Sequence, residues 1–114
     1  MVPTLGINVR THEAGTVITI AGELDCDTVP HIRRAINALD LRGHTLTLDF
    51  TDVTFMDSTA LNMLLTTRLR AREQGGTLEL LGLRPPALHV LYITGTAGLF
   101  NITDHPKNTR TPAH

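Results

Sequence analysis

The middle of this chain changes from one hydrophobic period to another, and that change constrains the fold more than any other feature. Apolar residues first alternate with polar ones at Leu46, Leu48 and Phe50, which is the pattern of a half-buried β-strand. Further along they recur at helical spacing, at Leu61, Leu64, Leu65 and Leu69. A strand that passes directly into a helix is a building unit of helix-covered sheets. The chain is therefore predicted to have an α/β fold.

Similar patterns run along the rest of the chain. Apolar and β-branched runs, with Gly22 ending the second of them, predict strands over residues 7–11, 16–21, 45–50, 77–81 and about 100–102. Helical spacing and cap residues predict three helices. The first is capped by Asp27 or Thr28 and has an apolar stripe at Ile32, Ala35, Ile36 and Leu39. The second covers residues 58–73, and the third is short and begins with Pro85 and Pro86.

The element order is β-β-α-β-α-β-α-β, which predicts a small mixed, mostly parallel β-sheet packed by helices on one face. The first two strands form a hairpin, so one strand pair is antiparallel. A length of 114 residues suits one domain. We assign residues 1–104 to this domain, and we predict that residues 105–114, which have no apolar pattern, form a disordered tail.

Composition excludes several classes of function. Ten basic and eleven acidic residues leave no net positive charge for nucleic acid. The arginines at positions 68, 70 and 72 cluster, but at a predicted helix end, where they meet the negative end of the helix dipole. Cys26 is the single cysteine, and neither a signal peptide nor a membrane-spanning apolar run is present. A cytoplasmic protein without nucleic-acid or membrane partners is expected.

The single serine of the chain, among eighteen threonines, lies at the predicted junction between strand and helix. Free backbone N–H groups at a helix start favour an anion there, so an added phosphate on Ser58 would be tolerated. An equally local interpretation is that Ser58 is a helix N-cap, and the neighbouring Asp57 is another candidate for that role. The Asp25–Asp27 turn also follows a strand, so both junctions are predicted to share one rim of the sheet.

Enzymatic and metal chemistry find little support. A nucleophilic serine would need a nearby base, and the glycines of a nucleophile elbow are replaced by Met56 and Ala60. The histidines are scattered, and His31 is the least implausible base. The aspartates at positions 25, 27, 49, 52 and 57 match no calcium-loop or zinc spacing, and no phosphate-binding loop occurs. No catalytic residue, metal or cofactor is predicted.

Two segments carry a recognisable pattern. Gly-Glu-Leu-Asp at residues 22–25 and Val-Thr-Phe-Met-Asp-Ser-Thr-Ala-Leu at residues 53–61 resemble the signature segments of the STAS domain. More narrowly, residues 7–103 resemble the stand-alone bacterial anti-sigma factor antagonists. The chain departs from that pattern at Ala60, where glycine is frequent, and after residue 103, where many relatives have a further helix.

The resemblance implies a switchable binding module without catalytic activity. Unphosphorylated, it would bind an anti-sigma factor that is a serine protein kinase, and so free the sigma factor. Phosphorylation of Ser58 would end binding, and a phosphatase would reset it. By the same resemblance, Asp25, Asp57, Ser58 and Thr59 would form the partner-binding surface. Thr59 is also a possible phosphoacceptor, ranked below Ser58 because its β-branched side chain is less free in the first turn of the helix. Alternatives are a STAS scaffold or regulatory subunit of another signalling complex or of a transporter, and a serine hydrolase.

Overall fold

A computed structural model describes residues 5–104, in which five strands and three helices follow the predicted order. The strands are β1 Leu5–His12, β2 Gly15–Leu24, β3 Thr45–Met56, β4 Thr77–Leu81 and β5 Asn101–Thr103. The helices are α1 Val29–Asn37, α2 Ser58–Glu73 and α3 Pro85–Ile93, and a short 3-10 helix covers Ala97–Leu99. The tail predicted from residue 105 lies outside the described residues.

The five strands form one sheet in the order β1-β2-β3-β4-β5. The β1–β2 hairpin is antiparallel and the other three pairs are parallel, which confirms the mixed, mostly parallel sheet. Along β3, Leu46, Leu48 and Phe50 are buried, whereas the alternate residues Thr45 and Thr47 are only half-buried. The helices therefore pack on the face that carries the leucines and Phe50, as alternating strands require.

Local signals explain where the helices begin and end. Prolines lie in the first turns of α1 and α3, where a missing N–H breaks no helical bond. Gly75, just beyond α2, has a φ of 74°, the left-handed conformation in which glycine commonly ends a helix. None of the helices within residues 5–104 is long and apolar enough to span a membrane.

Three strands run further than predicted: β1 spans Leu5–His12 instead of residues 7–11, and β2 and β3 continue past their predicted ends. Gly22 does not end β2: the strand continues to Leu24, with Gly22 at a φ of 117°, a conformation open to glycine. β3 continues to Met56 instead of ending at Phe50. The register between β2 and β3 shifts twice, between Thr19 and Ala21 of β2 and between Gly22 and Glu23 of β2. At each shift β3 contains one extra residue. These β-bulges interrupt the period of two, which is why the alternation stops before the strand does.

The arginines at the end of α2 do more than meet its dipole. The Arg70 guanidinium donates hydrogen bonds to the carbonyl oxygens of Ile36 (3.0 Å) and Leu39 at the end of α1. Arg68 donates through Nε to the carbonyl oxygen of Leu99 at 2.7 Å. Both side chains therefore donate to carbonyl oxygens of neighbouring segments. They join α2 to the connections around it.

Candidate functional site

The carboxyl ends of β2 and β3 lie side by side and bring the two predicted junctions together. Leu24, the last residue of β2, pairs with Met56, the last residue of β3. The backbone N–H of Asp57 donates to the carbonyl oxygen of Leu24 at 3.1 Å. The turn that begins at Asp25 and the start of α2 at Ser58 therefore share one rim of the sheet, as predicted.

The turn between β2 and α1 is held by two side chains. The Asp25 carboxylate accepts, through Oδ1, hydrogen bonds from the backbone N–H groups of Asp27 (2.9 Å) and Thr28 (3.2 Å). The Thr28 hydroxyl accepts from the Asp25 N–H at 2.9 Å and donates to the carbonyl oxygen of Glu23 at 2.7 Å. These bonds fix the half-buried Asp25 at the rim, in an arrangement typical of aspartate turns.

Sequence reasoning assigned Thr28 only a possible capping role. Thr28 does occupy the N-cap position of α1, but its side chain makes no cap hydrogen bond and turns back to the preceding loop. It is 3% exposed, so its hydroxyl bonds are shielded from water. The hydrogen-bond partners of the Thr28 hydroxyl precede it in the chain. Helix-capping preferences concern only bonds to the N–H groups that follow the cap residue, so they do not identify these partners.

Replacing Thr28 with valine is expected to lower the free energy of unfolding by about 1–3 kcal/mol, because the Asp25 N–H and the Glu23 carbonyl then lose a buried partner. Valine keeps the shape of the side chain, so packing is conserved. Urea denaturation measures the loss, and Thr28→Ser, which keeps the hydroxyl, is the matched control. A valine variant as stable as wild type would show that water replaces both bonds.

The start of α2 is capped by Asp57, which corrects the interpretation of Ser58 as the cap. Asp57 has an extended backbone, and its Oδ1 accepts hydrogen bonds from the N–H groups of Thr59 (2.9 Å) and Ala60 (3.3 Å). Ser58 is the first helical residue and is exposed, whereas Thr59 is half-buried. Both Asp and Ser are good caps, so the local sequence does not distinguish them. Because Asp57 does the capping, the Ser58 side chain is left for another role.

We expect Asp57→Ala to lower the free energy of unfolding by about 0.5–2 kcal/mol, because two N–H groups of the first turn lose their acceptor. Ser58→Ala should change it by less than about 0.5 kcal/mol, because the exposed Ser58 side chain does not supply the cap hydrogen bonds. Thermal and urea unfolding of the two alanine variants, one residue apart, measure both values. The opposite ranking would return the capping role to Ser58.

One residue that sequence reasoning did not single out is prominent at this rim. Phe55 pairs with Glu23 at the end of the sheet and is 46% exposed. The alternation of Leu46, Leu48 and Phe50 could not identify it, because continuing that pattern would also place Val53 on the outward side, and Val53 is buried. Exposed aromatic residues are enriched where proteins bind one another.

The structure of residues 5–104 does not join the candidate catalytic groups by a hydrogen bond. His31 is exposed on α1, and its Nδ1 lies 3.1 Å from a guanidinium nitrogen of Arg34. In the described part of the chain, Ser58 has no hydrogen bond to a histidine that could serve as its base. Over the same residues, no group of three or more His, Cys, Asp and Glu side chains is arranged to hold a metal ion.

Comparison with known proteins identifies the family. Residues 6–109 match the model of the STAS domain. The chain is 30% identical over 99 residues to the anti-sigma-B factor antagonist of Bacillus subtilis, an alignment that covers 87% of this chain and 91% of the relative. It is 31% identical over 86 residues to the protein of the same name from Listeria monocytogenes, covering 75% of each chain.

Solved structures share the fold. An anti-sigma factor antagonist from Mycobacterium paratuberculosis superposes with a TM-score of 0.81 at 23% identity, covering 92% of this chain and 90% of that one. Unphosphorylated SpoIIAA, an anti-sigma factor antagonist, gives a TM-score of 0.76 at 23% identity, with 90% of each chain covered. The match to the family model spans most of the sequence and the sheet and helices agree, so this chain belongs to the STAS domain family.

Proposed function

We propose that this protein is an anti-sigma factor antagonist controlled by phosphorylation of Ser58. In its unphosphorylated form it binds an anti-sigma factor that is also a serine protein kinase, and the sigma factor is released. The kinase then phosphorylates Ser58 and binding ends, until a phosphatase removes the phosphate. The observation that carries the proposal is the position of Ser58: exposed, in the first turn of α2 and beside the Asp25 turn, in a chain similar to anti-sigma-B factor antagonists.

The position of Ser58 supports a phosphate without loss of the fold. A phosphate adds about −1.5 to −2 charges near neutral pH. The first N–H groups of a helix and the positive end of its dipole favour such an anion. Since Ser58 is exposed and Asp57 supplies the cap, no buried contact has to break. The domain should therefore stay folded in both states, as a reversible switch requires.

The same phosphate is unfavourable in an interface. A partner that covers the rim removes water from Ser58 and from the nearby carboxylates of Asp25 and Asp57, which we assign with Thr59 to the partner-binding surface. A dianion placed among carboxylates without water is costly, because like charges brought together in an interface cost several kcal/mol. This difference between the two forms is enough to release a partner. The proposed partners are the anti-sigma factor kinase and the phosphatase, and the proposed location is the cytoplasm. We propose that residues 1–104 form the domain that these proteins bind.

Phosphoryl transfer to this chain provides the direct test. The purified protein is mixed with ATP and each anti-sigma factor kinase of the same genome, and the phosphate is located by peptide mass spectrometry. One kinase is expected to modify Ser58, and Ser58→Ala should remain unmodified. Thr59 lies in the same peptide, so fragment spectra must separate the two sites. Phosphate on Thr59 alone, or on neither residue with any kinase, would contradict the proposal.

A further inference from the structure

The backbone at the end of β3 holds an aromatic side chain outside the core. Phe50 and Phe55 belong to the same strand, yet Phe50 is 0% exposed and Phe55 is 46% exposed. The second register shift of β3 falls between Val53 and Phe55, immediately before the exposed ring. A β-bulge re-aims the side chains that follow it and is common beside functional sites. The exposure of Phe55 is therefore built into the strand.

The residue before Phe55 in the chain and the residue paired with Phe55 across the sheet are polar. Its strand partner Glu23 and the preceding Thr54 are exposed, and the carboxylate of Asp25 is fixed in the next turn. Ser58 follows within the first turn of α2. An exposed aromatic residue with carboxylates and hydroxyls among its neighbours in the chain and in the sheet has the composition of an interface centre, where one buried anchor is surrounded by polar groups that exclude water.

The other large apolar side chains that are exposed lie elsewhere on the molecule. Leu69 is on the second half of α2, about 16 Å from Ser58 along the helix axis, given the rise of the α-helix. The rest are on β1, at the end of α3 and in the 3-10 helix, at Val9, Tyr92, Ile93 and Leu99. Phe55 is thus, among residues 5–104, the exposed large apolar residue nearest in sequence to Ser58.

We propose that Phe55 anchors the anti-sigma factor on this rim, by inserting its ring into an apolar pocket of that partner. This inference rests on the proposed function, because it assigns a residue to the same interface. Aromatic anchors dominate interface energetics, since they bury a large area and have few rotatable bonds to restrict. The partner that fits has an apolar pocket for one ring, with hydrogen-bond donors beside it for the carboxylates of Glu23 and Asp25. Phe55 then contributes to the affinity for the anti-sigma factor in the unphosphorylated state, and phosphorylation of Ser58 determines whether that binding occurs.

Titration calorimetry with the anti-sigma factor kinase that phosphorylates the wild-type chain tests this role. Phe55→Ala is expected to weaken binding by at least about 30-fold, which is the threshold of an interface hot spot. Phe55→Gln, a polar residue of similar length, should behave in the same way. Tyr92→Ala is the matched control, since this aromatic residue is 70% exposed on α3 and should change the affinity by less than about 3-fold. Thermal unfolding establishes that each variant is folded.

The outcomes separate this inference from the proposed function. If Phe55→Ala and Phe55→Gln bind as tightly as wild type while Ser58→Asp does not bind, the anchor is overturned and the switch stands. A similar loss in Tyr92→Ala and Phe55→Ala would also overturn it, because the effect would not be specific to the rim. If wild-type protein binds no anti-sigma factor kinase, both proposals fail. Should one Phe55 variant not fold, the other decides.

Discussion

Ser58→Asp is expected to weaken binding of the anti-sigma factor by about 100-fold or more, with almost no change in thermal stability. The new carboxylate would lie in an interface beside Asp25 and Asp57, and like charges in an interface cost several kcal/mol. A loss of about 3 kcal/mol corresponds to roughly a 100-fold change in the dissociation constant. In the free protein the same charge lies at the start of α2, where it gains about 0.3–1 kcal/mol from the helix dipole. Calorimetry and thermal unfolding measure the two effects separately.

Two controls assign the loss to charge. Ser58→Asn has nearly the size of aspartate without its charge, so it should keep most of the affinity, and Ser58→Ala should bind without ever being phosphorylated. If Ser58→Asn lost as much affinity as Ser58→Asp, the interface would be sensitive to size, and electrostatic release would be wrong. If Ser58→Asp bound as tightly as Ser58→Ala, the proposed switch itself would be wrong.

Phe50→Ala is expected to have the largest effect on stability, lowering the free energy of unfolding by about 3–5 kcal/mol. Phe50 is 0% exposed and belongs to the core cluster under the helices, so its removal leaves a cavity in the middle of the sheet. A domain of this size has about 5–15 kcal/mol of stability in total. The variant should therefore unfold well below the wild-type temperature.

Phe55→Ala is the matched control for this prediction, because it removes the same side chain from the same strand. Because Phe55 is 46% exposed, Phe55→Ala should lower the free energy of unfolding by less than about 1 kcal/mol. Urea titrations of both variants give the comparison. Equal losses would mean that Phe55 contributes to the core as Phe50 does, and its availability to a partner would then be in question.

The elements that could be predicted are those with an uninterrupted period and a clear stop. α2 and β4 have the predicted bounds, since Asp57 and Gly75 mark the two ends of the helix and β4 pairs in regular register. The ends of β2 and β3 could not be predicted, because bulges depend on how two strands pair across the sheet. Gly22 illustrates this: a positive φ ends many elements, yet here it serves a bulge within a continuing strand.

The site was predictable in its location and less so in its details. That Asp25 and Ser58 share a rim follows from the alternation of strands and helices, which places strand ends on one side. The choice of Asp57 as cap depends on the extended backbone of that residue, which neighbouring Ser58 does not have. The hydrogen bond from the Thr28 hydroxyl to the Glu23 carbonyl requires the turn conformation that the Asp25 carboxylate stabilises. These two interactions depend on each other, so they form only when the whole turn is folded.

The contact of Arg70 with the end of α1 limits the relative movement of α1 and α2, and so also of the surface at the other end of these helices. α1 and α2 both begin at the rim, and the Arg70 guanidinium joins them where they finish, through the carbonyl oxygens of Ile36 and Leu39. Two helices fixed to each other at one end have little freedom to separate at the other. For the proposed partner, if it contacts both helix starts, this restraint would reduce the conformational entropy lost on association. Under the proposed function, exchange between partners would then require no rearrangement of the domain.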